Sequence, residues 1–431
     1  MILPKVCLHY NVAMIAPFEW DNNSDQPYQL KDRNFKIKMR KKERFSLLKT
    51  ILISLVVLPI ALLAMPFKKR QHIDSQKLIG LGIDVIREPE VTLQMLSELE
   101  VNTILIRLGL WEMEKVATIA TFLDQVPHLE VTLIIMQDRE HIDDSTLLRD
   151  NLNSIFMTLS SHIARFQIGS TINRAKWGFF SVNEYLNFYN TAYTLRNKEF
   201  PNISLLGPSV IDFEYHFTIH ALFNRAKIAY DGLSALLYVD RRGAPENMQM
   251  GFTLLDKISL LSSLMNLSNK VNEKLYITET NWPISNTAPF APTSEHECVS
   301  EEDYASFMVR YYLLSYASQR VETIFWHQLI APGYGLVDNR NGIRKRSAYY
   351  AFKTLHNFLK DTHFLRLGIE RGFYTLQCAT ETKITFVMWM PEGSKPYNID
   401  DSMSAFSRDG EPIGSGDISI TSKPIYIIVE R

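Results

Sequence analysis

Lys274-Leu-Tyr-Ile-Thr-Glu279-Thr-Asn-Trp-Pro283 is a strand-forming, mostly apolar run from Leu275 to Glu279 that ends on a carboxylate and breaks into a loop at Asn281-Trp282-Pro283. An ionised carboxylate loses its hydration on entering a protein interior, so a Glu at the end of a strand buried on both faces carries a cost. Two readings meet that cost: the Glu does chemistry, or it caps the strand and an Arg pairs with it. The runs on either side bear on the choice, because their number and spacing set the fold.

Working outward, seven further apolar runs of the same type follow Lys77: Leu78–Asp84, Thr103–Leu108, Glu130–Met136, Ala164–Gly169, Ile203–Val210, Leu233–Val239 and Glu322–Trp326. Amphipathic stretches near 90–99, 112–125, 145–162, 183–197, 217–229, 252–268, 302–317 and 347–360 alternate with them. Eight strand-helix units across residues 75–360 predict an α/β fold of the (β/α)8 TIM-barrel type. Continuous rather than alternating apolarity is what a parallel sheet covered on both faces requires. A doubly wound open sheet is the rival, but no Gly-rich phosphate turn follows the first strand.

Beyond residue 361 the pattern changes to short strands such as Phe373-Tyr-Thr-Leu-Gln-Cys, Ile384-Thr-Phe-Val-Met-Trp, Asp417-Ile-Ser-Ile and Pro424-Ile-Tyr-Ile-Ile-Val. Turn signals at Pro391-Glu-Gly393 and Asp409-Gly410 separate them, so residues 361–431 predict an accessory antiparallel β-sandwich. At the other end, residues 1–30 have no convincing period. Lys31 to Arg44 then holds eight Lys or Arg against two acids, and Thr50 to Phe67 is 18 consecutive uncharged residues. That length just reaches across a bilayer core. More basic charge lies before the span than after it, and no clean small-x-small cleavage site is visible. The expectation is a cytoplasmic basic leader (1–45), a single-pass transmembrane signal anchor (46–67) in a bacterial inner membrane, and a globular part in the periplasm or outside. Met39 is an alternative start that would make the leader short.

Residues 1–70 hold 13 of the 46 Lys and Arg but 5 of the 47 Asp and Glu, leaving 33 basic against 42 acidic groups in the remainder. An acidic globular part argues against nucleic acid as partner. Cys7, Cys298 and Cys378 give no disulfide framework and no metal spacing, and no cofactor motif occurs.

In a barrel the active groups lie at the carboxyl ends of the strands. Those ends carry Asp84 and Arg87; Arg107 and Trp111; Ser170, Thr171 and Asn173; Asp212, Glu214 and His216; Tyr238, Asp240, Arg241 and Arg242; Glu279 and Trp282; Trp326 and His327. Three of the six Trp (Trp111, Trp282, Trp326) sit just past strand ends. Flat aromatic faces beside carboxylates and Arg suit a sugar, whose C–H faces stack on rings while its hydroxyls take bidentate hydrogen bonds.

At these residues the chain resembles the clan-A glycoside hydrolases, retaining enzymes on a (β/α)8 barrel with an accessory β-sandwich. The resemblance covers about residues 77–431 and rests on Ile-Thr-Glu279-Thr-Asn-Trp, Arg107, Leu-Leu-Tyr238-Val-Asp and Ile-Phe-Trp326-His-Gln. It implies that Glu279 is the nucleophile, Tyr238 orients it, Arg107 lowers its pKa and Trp326 floors the subsite of the reacting sugar. Phe166-Gln-Ile-Gly-Ser-Thr-Ile-Asn173-Arg-Ala-Lys-Trp-Gly and Tyr238-Val-Asp-Arg-Arg-Gly-Ala-Pro-Glu-Asn247 are also similar to a group of bacterial glycosidase-like proteins.

One departure stands out. The clan ends strand four in Asn-Glu, the Glu being the general acid/base, whereas this chain has Ser170-Thr171. A retaining glycosidase needs two carboxyl groups about 5 to 5.5 Å apart, and neither hydroxyl donates a proton of suitable pKa. Asn183-Glu184 reads as the first turn of a helix, where a carboxylate complements the dipole. The better substitutes are Asp212 and Glu214 after strand five, one of which alternation turns inward. Arg241 or Arg242 holds a carboxylate or phosphate on the glycan, or pairs with Glu246 or a neighbouring carboxylate to stiffen its loop; His327 and His216 pack or hydrogen-bond locally rather than serve as bases. The expected partners are an oligo- or polysaccharide and, through the apolar helix, the membrane. The expected function is a retaining glycoside hydrolase acting on a bacterial envelope polysaccharide; the alternatives are an inactive carbohydrate-binding pseudoglycosidase in envelope glycan assembly and a transglycosylase.

Overall fold

The computed structural model describes residues 19–67, 73–240 and 243–431. Eight parallel strands close into a barrel: β1 (Ile79–Ile83), β2 (Thr103–Gly109), β3 (Glu130–Met136), β4 (Arg165–Ile168), β5 (Ser204–Ile211), β6 (Gly232–Leu236), β7 (Leu275–Thr280) and β8 (Thr323–Trp326). They pair in sequence order, with β8 closing onto β1. Every one of the eight apolar runs is a barrel strand, because each is covered by side chains within the barrel and by helices outside.

Leu105, Ile134, Leu206, Tyr276 and Phe325 fill the barrel beneath its mouth. Two residues further along their strands come Arg107 and His327, which the period-two alternation carries up from that layer into the mouth. On β7 the alternation is interrupted. Its register shifts against both neighbours, between Ala235 and Leu236 of β6 and between Ile324 and Trp326 of β8. Such an irregularity re-aims side chains, and here Glu279 faces the mouth although Tyr276 lies in the lumen layer.

Three helices near the site begin with side-chain caps. Ser181 caps α3 (Val182–Glu199), and Thr253 forms a reciprocal capping box with Asp256 at α5 (Leu254–Leu267); α4 (Tyr215–Leu222) lies between them. Ser300 caps α6 (Glu301–Ser318). Glu184 sits in the first turn of α3 as expected, accepting from the Phe180 amide at 2.8 Å and pairing with Arg139 at 3.0 Å.

The C-terminal module is antiparallel. Its larger sheet has six strands: β9 (His363–Glu370), β10 (Phe373–Ala379), β11 (Lys383–Trp389), β13 (Ser404–Phe406), β14 (Pro412–Ile413) and β16 (Ile425–Glu430). Their spatial order is β9-β10-β11-β16-β13-β14, and β12 (Lys395–Ile399) pairs with β15 (Gly416–Ile420) in a second, two-stranded sheet. A buried ion pair ties the module to the barrel. Glu246 accepts from the Trp389 indole at 2.7 Å and meets Arg310 of α6 at 2.9 Å. Burial pushes the Glu246 carboxyl up even though Arg310 opposes it. Glu246 thus pairs with Arg310; Arg241 and Arg242, and with them the expected pairing in their loop, lie outside the described residues.

The leader departs from its expectation as a stretch without structure. Trp20–Asp21 pairs with Gln26–Pro27 in a small hairpin, followed by α1 (Arg33–Lys42) and α2 (Arg44–Ala64). The helical segment Arg44–Phe67, whose most apolar 18-residue window has a mean hydropathy of 2.5, is long and apolar enough for a membrane anchor or a signal sequence. It also lies against the barrel. Ser46, Thr50, Ser54 and Ala61 form its buried stripe, Thr50 Oγ1 is 2.7 Å from His220 Nδ1 of α4, and Ser263 of α5 donates to the Ala61 carbonyl at 2.7 Å.

Candidate active site

Glu279 and Tyr238 both line the mouth of the barrel. The Tyr238 hydroxyl donates to Glu279 Oε1 at 2.8 Å. Tyr238 follows the end of β6, and its backbone is held from below: the fully buried Lys257 of α5 donates to the carbonyls of Tyr238 (3.2 Å) and Val239 and to Gln249 Oε1 at 2.7 Å. Burial pulls the Lys257 ammonium down to about 8, against Asp240 and Asp212, which favour its charge. A cleft of about 780 Å³ opens above this pair, bordered by Arg107, Thr171, Trp177, Asp212, Glu214, His327 and Tyr334 among others. That volume accommodates a small-molecule or oligomeric ligand.

Arg107 does not bond to Glu279. It donates through Nη1 to Asp25 Oδ2 and to His327 Nε2, both at 3.1 Å, and its guanidinium lies 5.6 Å from the Trp177 ring centre. Burial and the adjacent guanidinium pull the His327 ring down to about 4. It is therefore neutral near pH 7 and accepts the proton of Arg107. The ring stacks on Tyr334 with centres 5.3 Å apart. His327 thus makes local contacts, as expected. His216 is exposed beside Phe217 and outside the cleft lining.

Asp212 and Glu214 do not divide into one inward and one outward residue. Both border the cleft and both meet one cation: Arg174 Nη2 is 2.6 Å from Asp212 Oδ2, and Nη1 pairs with Glu214. Asn173 adds a hydrogen bond to Glu214 at 2.8 Å and exchanges two more with the backbone of Ile211. Asp212 has a φ of 61°, which breaks strand alternation and brings its side chain to the same side as that of Glu214. Asn173 is therefore a strut between the ends of β4 and β5.

The β4 end is closed by hydrogen bonds. Gln137 accepts from the Ser170 amide at 2.9 Å and donates to the Ser170 carbonyl at 2.8 Å, while the Ser170 and Thr171 hydroxyls lie 3.3 Å apart.

The two tryptophans read as sugar platforms lie elsewhere. Trp326 is fully buried, donates to the Tyr304 hydroxyl at 2.6 Å and stacks on Trp282 with ring centres 5.8 Å apart. Trp282 is 2% exposed and donates to the Gly243 carbonyl at 3.1 Å. Neither borders the cleft, because Tyr304, Tyr311 and Phe307 of α6 enclose both rings. The aromatic residues of the cleft lining are Trp177, Phe213, Tyr238 and Tyr334 instead.

The remaining surprise is the N-terminal hairpin, which straps the mouth. Trp20 packs on Trp111 and Trp177 at 5.1 and 5.6 Å between ring centres, and Asp25 takes the Arg107 ion pair. Gln26 accepts from Lys176 Nζ at 2.6 Å and donates to the Pro292 carbonyl at 2.8 Å. Burial pushes the Asp25 carboxyl up, but Arg107, followed by His327 and Arg87, outweighs it and holds the group below the ordinary Asp value. Lys176 is lowered by burial and by Arg174. Asp25, Arg174, Lys176, Trp177 and Tyr334 are thus site residues that the strand-end reading missed. The last four follow strand ends at a few residues' distance, so a wider window on each loop finds them; Asp25 carries no local signal.

No protein-family model matches the sequence, and no curated protein matches it. Solved structures do resemble the fold. A family 39 glycoside hydrolase from Bacteroides cellulosilyticus WH2 aligns over 83% of this chain and 82% of its own, with a TM-score of 0.62 and 13% identity. A family 39 β-xylosidase from Caulobacter crescentus gives a TM-score of 0.58 at 12% identity, covering 84% of this chain and 98% of that one. A family 30 endoxylanase from Clostridium papyrosolvens C71 gives 0.56 at 10% identity, with 84% and 97% covered. At such identities the likeness is one of fold: a closed parallel barrel carrying a C-terminal antiparallel module.

Proposed function

We propose that the chain is a glycosidase-like protein that takes an oligo- or polysaccharide of the bacterial envelope into its barrel mouth, with Glu279 as nucleophile of a retaining mechanism. The observation that carries this reading is the Tyr238–Glu279 hydrogen bond at the mouth of a closed barrel. A phenolic hydroxyl aimed at one carboxylate oxygen fixes the other for in-line attack on an anomeric carbon. The structural neighbours, a family 39 glycoside hydrolase, a β-xylosidase and an endoxylanase, support the substrate class. In the first step Glu279 bonds to the anomeric carbon as the glycosidic C–O bond breaks, and the leaving oxygen takes a proton from an acid drawn from Asp212 or Glu214, or supplied by the substrate. Water then attacks the anomeric carbon, giving its proton back to the conjugate base of that acid as the bond to Glu279 breaks and the carboxylate is restored; in a transglycosylase a sugar hydroxyl takes the place of that water.

A second reading, a carbohydrate-binding pseudoglycosidase, is favoured by Ser170 and Thr171 at the β4 end and by the engagement of both β5 carboxylates with Arg174. Activated 2-deoxy-2-fluoro glycosides separate the two, since they trap a glycosyl-enzyme with little help from an acid. A mass increase of the intact protein mapping to Glu279 is expected. No adduct across a broad panel, together with binding of an envelope glycan, would replace the enzyme by the binder.

A further inference from the structure

We propose that α2 attaches the protein in the plane of an anionic lipid bilayer, with the barrel and the residues before α2 on the same side, instead of crossing the membrane. Two independent features of the fold carry this. The first is the inner face of α2. Barrel-surface helices expose one side, yet α4 is buried at five consecutive residues, Thr218 to Leu222, and α5 at six, Leu260 to Met265. A helix buried all round needs a cover on both sides, and α2 supplies the outer one. It does so with a stripe of small and polar residues, Ser46, Thr50, Ser54 and Ala61, spaced for one helical face and hydrogen-bonded to His220 and Ser263. Two more contacts fix its start: Ser181 donates to Glu43 at 2.6 Å, and the Asn183 amide meets Ser46 Oγ at 3.4 Å.

The second feature is what this docking leaves outside. Leu48, Leu52, Leu55, Val56, Leu63 and Phe67 are all more than half exposed, Leu63 at 75% and Phe67 at 84%. A contiguous apolar strip of that kind marks an interaction surface. Its chemistry names the occupant. The strip continues into α1 and the start of α2, where Arg33, Lys38, Arg40, Lys41, Lys42 and Arg44 are exposed and α1 has no acid in its first turn. Leucine on one face with a cationic run at one end suits acyl chains and anionic headgroups together. The hairpin before α1 sits on the barrel mouth through Asp25 and Gln26. A spanning α2 would have to leave α4 and α5, break the Thr50–His220 and Ser263–Ala61 bonds, and pull that hairpin away.

The test uses the full chain with Cys7→Ser and Cys298→Ser, carrying either Asn23→Cys in the exposed hairpin tip or Glu381→Cys in the C-terminal sheet. After binding to preformed vesicles of phosphatidylcholine with phosphatidylglycerol, a membrane-impermeant maleimide is expected to label both positions at equal rates without detergent. Co-sedimentation is expected to fall at least tenfold in vesicles of phosphatidylcholine alone, and at least tenfold in Leu55→Glu, whose side chain is 68% exposed and whose circular dichroism should match the parent. Protection of position 23 until detergent is added, with position 381 labelled, would establish a spanning helix and overturn the proposal. Absence of vesicle binding, or binding indifferent to both headgroup charge and Leu55→Glu, would overturn it equally. None of these readouts depends on glycan chemistry, so they stand apart from the fate of Glu279.

Discussion

Replacing Asp25 by Asn removes a charge from the strap while keeping its shape, and the geometry sets how much should follow. Asp25 Oδ2 lies 3.1 Å from Arg107 Nη1, with side chains 26% and 11% exposed, so the pair is shielded from water more than a surface ion pair is. A hydrogen bond between charged groups in such a place contributes about 1.5–3 kcal/mol, against about 0–1 for an exposed pair. At about 1.4 kcal/mol per factor of ten, the hairpin should open on the order of 10 to 100 times more often in Asp25→Asn. The reporter is the Tyr28 amide, whose backbone bond to the Glu19 carbonyl (2.9 Å) spans the hairpin and breaks when it lifts. Hydrogen exchange at pH 7 should show its protection falling by that factor, while amides of β2 and β3 keep theirs. The sign of the pH dependence follows from the depressed Asp25 pKa. The stabilisation is full above the ordinary Asp value of 3.8 and is lost as pH falls through the lower folded value. Parent and variant should therefore converge only once the pH has fallen below that lowered value. Equal Tyr28 protection in both proteins at pH 7 would refute the idea that this ion pair holds the strap.

Trp326→Ala should cost about 3–5 kcal/mol in urea denaturation, as for a fully buried Trp, without weakening glycan binding in the fraction that stays folded. A loss of affinity at unchanged stability would restore Trp326 to the subsite floor. His327 resists protonation in the fold down to about 4, whereas unfolded His takes a proton below about 6.5. Stability should thus decline between pH 6.5 and 4, by about 3 kcal/mol at 1.36 kcal/mol per unit. His327→Gln, still an acceptor for Arg107, should flatten that slope in denaturation series across the same range. Tyr238→Phe removes the phenolic hydroxyl that donates to Glu279 Oε1 and should slow fluoro-glycoside labelling by about 10 to 100 times, the worth of a hydrogen bond to a charged group. An unchanged rate would deny Tyr238 its orienting role.

The barrel was legible because a strand covered on both faces must be apolar throughout, and eight such runs are hard to produce otherwise. Glu279 stood out by the same logic, as a charge ending one of them. The direction of side chains just past a strand end is a different matter. Period-two counting fails at the β7 irregularity and at Asp212 with its positive φ, so Trp282 and Trp326 read as rim residues although α6 encloses them. The tyrosines at 304, 311, 312 and 316 were a usable sign, since a helix that rich in buried rings must cover something large. The strap had no sign at all. Residues 19–30 owe their conformation to Arg107, Lys176 and Trp111, which stand far away along the chain, and a hairpin held by such contacts needs no local period.

The corner between β4 and β5 is where the enzyme and binder readings part. Arg174 stands between two carboxylates there, and the three charges sum to −1, so removing either carboxylate leaves the other paired. Asp212→Ala and Glu214→Ala should consequently both fold, with Glu214→Ala also freeing the Asn173 amide that now bonds it. A structural loss would slow every substrate alike. Loss of a proton donor would slow only substrates whose leaving group needs the proton, since a nitrophenolate departs unaided while a sugar alkoxide does not. If one of the pair is the acid, its Ala variant should keep turnover of a nitrophenyl glycoside within about tenfold and lose about 10²–10⁴-fold on the natural linkage, and azide should rescue the aryl substrate. A uniform decrease in both variants, whatever the leaving group, would remove Asp212 and Glu214 as acids and leave the proton to come from the glycan itself or the reaction not to occur.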